Sequence, residues 1–563
     1  VFCFLAFVLV VVLAGCKASF YQKSADRQVY ALVGSAQQQA LGRSNAFTIN
    51  TPYSERDPKT ILPSEIAMDR LQTNSRVLTI EDALDIAVKN SRRYQTEKEK
   101  LYLAALTLTG VRHDFRPNLF VSSTATSERL SNGEKRGGIN SQATLSQTLQ
   151  TGGSIGVGLV NDLLRYYTGD PRRSAISTFS INFAQPILRA FGKNNPAVEN
   201  LTQTERNLIY AVRSFSHFQN TYAVEIVNDY FDLLARQDVV RNRYANYLSR
   251  VQAARRLEMR AADRERAVDV DQARQAELTA RNNYVDSVAS YLTALDQFKI
   301  KLGIPVGEQV KLDDAPLREL QQRGPVPVAL PKDEAYGMAV SNQLEILNVI
   351  DQFEDKKRKI RVAASQLKAD LVLFGDASLS SEGPNDYTRF DANKWRGNVG
   401  LELKLPFDKL RERNDYRAAL IDFEAQIRTL ALRLDTLKDS IERGLRTLEQ
   451  RRQNYMIQKS ALEVANRRVA GASLSIEAGR GEVRDLVEAQ DAQIASQNAV
   501  TSALVSYQQA LLQLLLDLGV LETESPRFWL KDHLTARFGA PPPPPSPFVT
   551  DDELIPPEKL FGN

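Results

Sequence analysis

The stretch ATLSQTLQTGGSIGVGLV, Ala143 to Val160, restricts what the rest of the chain can be. Ala143, Leu145 and Leu149 precede a Gly152-Gly153 pair, after which Ile155, Val157 and Leu159 alternate with Ser154, Gly156 and Gly158. Two alternating runs joined by a glycine turn read as a β-hairpin. Aliphatic residues fall to one side and small ones to the other, which suits either a half-buried soluble sheet or a membrane barrel with lipid outside and water inside. Phe179, Ile181 and Phe183 continue the pattern, as do Val399, Leu401, Leu403 and Leu405. Two to four strands in each half of the chain cannot close a barrel. An open edge in lipid leaves backbone groups unsatisfied, so a membrane sheet here requires several chains to pool their strands.

The chain is two copies of one plan, and the hairpin lies in an excess of 32 residues that the first copy carries between its opening helix and the strand at Ser180. LTIEDALDIAVKN (78 to 90) aligns with LPKDEAYGMAVSN (330 to 342), and SINFAQP (180 to 186) with GLELKLP (400 to 406). Asp269 to Gly303 matches Asp485 to Gly519 at 11 of 35 positions, ending in Leu302-Gly303 and Leu518-Gly519. Between these landmarks Leu420, Ile427, Leu434, Ile441, Leu448, Tyr455, Leu462 and Val469 recur every seven residues, as expected of a helix supercoiled against neighbours. A helix over about 412 to 475 would be about 95 Å long. The expected class is mainly α with membrane β, internally duplicated, with long antiparallel coiled-coil hairpins.

The expected domains follow from these landmarks. Residues 1–15 are a signal peptide and 16–77 a lipidated extension. Residues 78–303 are the first repeat, with strands about 118–186 and a helical hairpin about 190–303. A linker occupies 304–329, and residues 330–519 are the second repeat, with strands about 370–406 and a hairpin about 412–519. Residues 520–563 form a C-terminal extension with a proline-rich tail. VFCFLAFVLVVVLAGC is an apolar run too short to span a bilayer comfortably, and its end, Leu13 to Cys16, resembles a lipobox whose cysteine takes diacylglycerol and N-acyl chains. No Lys or Arg precedes it, so residues upstream of Val1 are expected. Both cysteines, Cys3 and Cys16, lie in this segment, which removes disulfide and thiolate-metal chemistry from the remainder.

The chain has 72 basic and 68 acidic residues, without the concentrated positive footprint of a nucleic-acid binder. His113, His217 and His533 are scattered and no nucleophile or phosphate-loop motif accompanies them, so neither an enzyme nor a resident metal or cofactor is expected. The run Lys356-Lys357-Arg358-Lys359 reads as an exposed helix face. The turns between the long helices remain. In EAGRGEVRDLVEAQ (477 to 490), Gly479, Arg480 and Gly481 interrupt the helical pattern. The equivalent first-repeat turn carries Asp263, Arg264 and Glu265. Asp485 and Glu488 share a helix face three residues apart. They suit either a pore-lining acidic ring or an ordinary acidic first turn favoured by the helix dipole.

In order, spacing and duplication, residues 78 to 520 resemble the TolC-type outer-membrane efflux proteins. LTIEDALDIAVKN opens the match, NFAQPILRAFGKNNP leads into a long helix, and GEVRDLVEAQ opens a return helix. The resemblance implies a homotrimer whose strands build one shared transmembrane β-barrel and whose helices build a periplasmic α-barrel tunnel. It implies a passive outer-membrane exit duct for a tripartite efflux pump or type I secretion system, with an inner-membrane transporter as partner. A periplasmic adaptor would meet the tip turns, and Asp485 and Glu488 would narrow the pore. The competing reading is a periplasmic coiled-coil structural lipoprotein without channel activity. The extra hairpin lies outside the family pattern, leaving longer loops or added strands as its two outcomes.

Overall fold

A computed structural model describes residues 18–71, 73–168, 173–261, 267–383, 386–478, 480–525 and 527–531. In chain order the helices are α1 (Ala18–Leu41), α2 (Pro63–Asp69), α3 (Ile80–Asn90), α4 (Arg92–His113), α5 (Pro196–Ala261), α6 (Ala267–Leu302), α7 (Ala315–Arg323), α8 (Lys332–Asn342), α9 (Leu344–Gln366), α10 (Leu410–Glu477) and α11 (Val483–Asp517). The strands are β1 (Ser75–Leu78), β2 (Asn118–Arg129), β3 (Lys135–Thr148), β4 (Ser154–Tyr166), β5 (Arg173–Pro186), β6 (Gln309–Leu312), β7 (Asp370–Ser380) and β8 (Arg396–Lys404). The segment expected to be a linker thus holds β6 and α7. Two compact units result: Val1–Thr48 with Glu99–Ser214 and Asn348–Leu432, and Ile49–Lys98 with Phe215–Leu347 and Arg433–Asn563. Each takes segments from both halves of the chain.

The first unit contains a six-stranded antiparallel sheet in the order β2-β3-β4-β5-β7-β8. The Gly152-Gly153 hairpin enters this sheet in full, with β3 paired to β2 along its length and β4 to β5. Its turn rests beside the start of α5, where the Gly192 N–H donates to Thr151 O at 2.8 Å. One direct row across the strands runs Leu119, Leu145, Val157, Ile181, Ala377, Gly397. The adjacent row runs Phe120, Thr144, Gly158, Ser180, Ser378, Arg396. Successive rows point to opposite faces, so one face is largely aliphatic and the other is Ser-, Thr-, Asn- and Gly-rich. Where Ser123, Ser141, Asn161 and Ser177 cross the aliphatic face they bond to one another: Ser123 to Ser141 at 2.9 Å and Ser177 Oγ to Asn161 Oδ1 at 2.5 Å. Mutual pairing makes that polar row tolerable among apolar neighbours.

The second unit centres on Tyr230 and Phe231, both fully buried with Leu78, Ile80 and Leu302. The Tyr230 hydroxyl donates to Leu78 O at 2.7 Å and accepts from the Asp313 N–H at 3.0 Å. It thereby ties α5 to the ends of the parallel pair β1 and β6. Thr79 and Asp82 form a reciprocal capping box at the start of α3. The repeated Leu-Gly ends have a shared physical cause. Gly303 and Gly519 adopt φ of +81° and +68° just past α6 and α11, a conformation that favours glycine. A Cβ on Gly303 would lie 2.2 Å from Asn90 O, and one on Gly519 would lie 2.7 Å from the Asn342 carbonyl carbon. The repeated asparagines and glycines are thus abutting helix ends.

Candidate functional site

The second helical turn is held by backbone geometry. The Arg480 N–H donates to Ser475 O at 2.9 Å, closing the end of α10, and the chain re-enters helix at Val483. Gly481 does not have a left-handed φ. Its requirement is space, since an added Cβ would sit 2.9 Å from Ile476 N and 3.0 Å from Ser475. Close backbone approach is thus what the turn asks of Gly481. Val483 enters a small apolar cluster with Ala254, Leu257 and Ala273, flanked by Val270 and Val487. The first turn of α11 is therefore seated on both α5 and α6.

Asp485 and Glu488 lie on the exposed side of α11, and Glu488 faces Arg468 of α10 at 3.4 Å. Asp269, the first-repeat counterpart of Asp485, is buried. The two acids do share a helix face, and the two turns differ in how they present it. Arg480 is exposed. Cys16, Asp263, Arg264 and Gly479 lie outside the described residues.

A second feature was not foreseen in the sequence. α5 and α11 run antiparallel, joined by polar pairs whose residue numbers rise on one helix as they fall on the other. Gln509 Nε2 donates to Asp232 Oδ1 at 2.8 Å and Thr501 Oγ1 to Asp238 Oδ2 at 2.7 Å. Asn242 Nδ2 donates to Asn498 Oδ1 at 2.9 Å, and Arg250 Nη2 reaches Asp491 Oδ1 at 2.8 Å and Val487 O at 2.9 Å. Arg250 is only 3% exposed, and its Nη1 has no partner. Burial lowers its pKa, and the Asp491 carboxylate opposes that shift.

The first unit fastens α5 differently. Arg206 pairs with Asp355 and with Asp351 at 3.2 Å, and Arg213 pairs with Asp351 at 2.5 Å. Arg358 bridges Asp355 at 2.7 Å and Glu199 at 3.2 Å, while the Tyr210 hydroxyl donates to Asp355 at 2.6 Å. Burial alone would raise the Asp355 pKa. Hydrogen bonds from Tyr210, Gln203 and Arg358, with the charge of Arg206, outweigh burial and hold it below the usual carboxylate range. The basic run is therefore not simply an exposed face: Arg358 turns inward, and Lys356 pairs with Asp422 at 3.1 Å. Among the described residues no group of three or more His, Cys, Asp or Glu is placed to hold a metal ion.

No protein-family model and no curated protein matches the sequence. Solved structures do. The CusC channel superposes with a TM-score of 0.59 at 12% identity, over 78% of this chain and 92% of that one. The CmeC outer membrane channel of Campylobacter jejuni gives 0.57 at 13% identity, over 78% and 85%. The outer membrane protein VceC of Vibrio cholerae gives 0.57 at 15% identity, over 78% and 96%. The fold is that of the TolC-type outer-membrane channels, as the order and spacing of its sequence landmarks implied.

Proposed function

We propose that this chain is one subunit of a trimeric outer-membrane exit duct, passive and non-enzymatic, serving a tripartite efflux pump or a type I secretion system. The observation that carries the reading is the sheet: a six-stranded meander with one aliphatic face, one polar face and both edges open. Strands of 9 to 14 residues have the length that tilted membrane strands require. In lipid the open edges of β2 and β8 must pair with other copies. Heptad residues left exposed in one chain, such as Ile427, are consistent with coverage by neighbours. Duplication is supported by matched helix lengths: 66 and 68 residues for α5 and α10, 36 and 35 for α6 and α11.

On this reading Cys16 carries the lipid anchor in the outer membrane. The turns at Gly479 to Gly481 and at Asp263-Arg264 receive a periplasmic adaptor, and an inner-membrane transporter drives flux. Asp485 and Glu488, in three copies, form an acidic ring at the pore, and the α10–α11 hairpin moves outward to open it. Planar-bilayer recording tests this. The detergent-extracted protein is expected to be a heat-resistant oligomer forming cation-preferring channels, and Asp485→Asn with Glu488→Gln should weaken the cation preference. Channels whose selectivity is unchanged would remove the two acids from the pore. A protein released from membranes without detergent micelles once its lipid is removed, and forming no channels, would instead be the structural lipoprotein.

A further inference from the structure

The inserted hairpin suggests a wider barrel. We propose that β2 of one copy pairs with β8 of the next in a specific register, so that three copies close an eighteen-stranded wall; this rests on the duct reading above. The 32 residues from Lys135 to Tyr166 are the whole of β3, its turn and β4, the same number as the excess found between the repeats. They lie within the sheet as fully paired strands. Inserting two strands preserves the alternation of direction. β2 and β8 therefore still run opposite ways, as an antiparallel seam between copies demands.

The register follows from the stagger of the strand bases. In the row that joins Leu119 to Gly397, β2 extends one residue further toward its helical end, to Asn118, while β8 extends seven, to Lys404. The base therefore steps down six residues over the five intervals from β2 to β8, and a level seam to the next copy makes this six residues over six intervals. With a rise of about 3.4 Å per residue and about 4.8 Å between strands, one residue per strand is a tilt of about 35°, which a closed barrel needs. If the base of the next copy's β2 lies level with that of β8, Asn118 opposite Lys404, its Leu119 lies opposite Leu403 and its Val121 opposite Leu401. Six is even, so aliphatic meets aliphatic on the outer face and the polar face stays continuous. Eighteen strands at this tilt enclose a backbone cylinder about 34 Å across, against about 23 Å for twelve. The hairpin thus widens the exit for bulkier cargo or leaves room for loops to fold inward.

The test uses the full chain extracted from membranes. Val121→Cys with Leu401→Cys, treated with a short bismaleimide, is expected to convert most of the chain to covalent dimers and trimers, and either single variant to give none. An electron-microscopy map of the unmodified oligomer should show eighteen strands. A channel-forming oligomer with twelve strands and the hairpin outside the wall would overturn this proposal and leave the duct intact. So would a channel-forming oligomer in which residues 121 and 401 fail to link. A chain with neither oligomer nor channel would overturn the duct, and the eighteen-stranded wall with it.

Discussion

α5 is held in two different ways along its length. Its N-terminal part is fastened to α9 by a network in which Asp355 receives Arg206, Arg358 and Tyr210 together. Its C-terminal part meets α11 through single polar contacts, one per one or two turns, ending at Arg250. A buried network with every member engaged is expensive to break, because removing one partner strands the other charges. In the seam each isolated hydrogen bond contributes a modest net amount, and only the buried Arg250–Asp491 pair leaves a charge stranded when its partner is removed. The difference is between a charge-dense collar on the part of α5 inside the sheet-bearing unit and a sparser seam on the part toward its turn.

The largest effect should come from the collar. Asp355→Ala leaves two arginines without their shared counter-charge and should destabilise the protein by about 3 kcal/mol, at the low end for buried pairs because both arginines keep some solvent contact. Thermal unfolding followed by circular dichroism reads this directly, and a loss no larger than that of a seam variant would erase the distinction. Within the seam the two sides of one pair should differ. Asp491→Ala leaves Arg250 buried with only the neutral acceptors Val487 O and Asn246 Oδ1 and should cost about 1–2 kcal/mol, whereas Arg250→Met removes the buried charge and should stay within about 1 kcal/mol of the parent. Arg250→Met should nevertheless raise single-channel open probability if the seam restrains the hairpin.

Acid should also separate the collar's Asp355 from Asp517. Asp355 has a depressed folded pKa, so its contribution is present above the ordinary carboxylate pKa and is lost as pH falls through the folded value. Asp517, at the end of α11, has its pKa raised by burial despite the Gln513 hydrogen bond and the nearby His217. Its ionised form disfavours the folded state at neutral pH, and that penalty fades as pH falls through the raised value. Asp517→Asn should therefore raise the melting temperature at pH 7 and lose that advantage in acid; Asp355→Asn should lower it at pH 7 and converge with the parent in acid. Matching pH profiles for the two variants would contradict the assignment. The smallest effect belongs to Arg468→Gln, which breaks an exposed pair with Glu488 and should leave stability unchanged while altering conductance.

Much of this was legible in the chain. The Gly152-Gly153 hairpin, the seven-residue stripe and the repeated Leu-Gly ends are local signals, because turn chemistry and periodicity act over a few residues. Asp485 and Glu488 could be put on one helix face for the same reason. Other features depend on partners far away in sequence. Arg358 looked like part of a solvated charge run until Glu199, 159 residues earlier, was placed against it. Nothing local to Arg250 marks it, because its partners Val487 and Asp491 come from α11.

The sequence by itself determined the long helices and the sheet strands, their order and the two-faced character of the strands, since these follow from local backbone preference and from which side chains tolerate water. Only the tertiary structure decided that the extra hairpin joins the sheet as two further strands. Pairing register is a property of neighbouring strands, and β7, the partner that seats β5 in the sheet, lies nearly two hundred residues further along the chain.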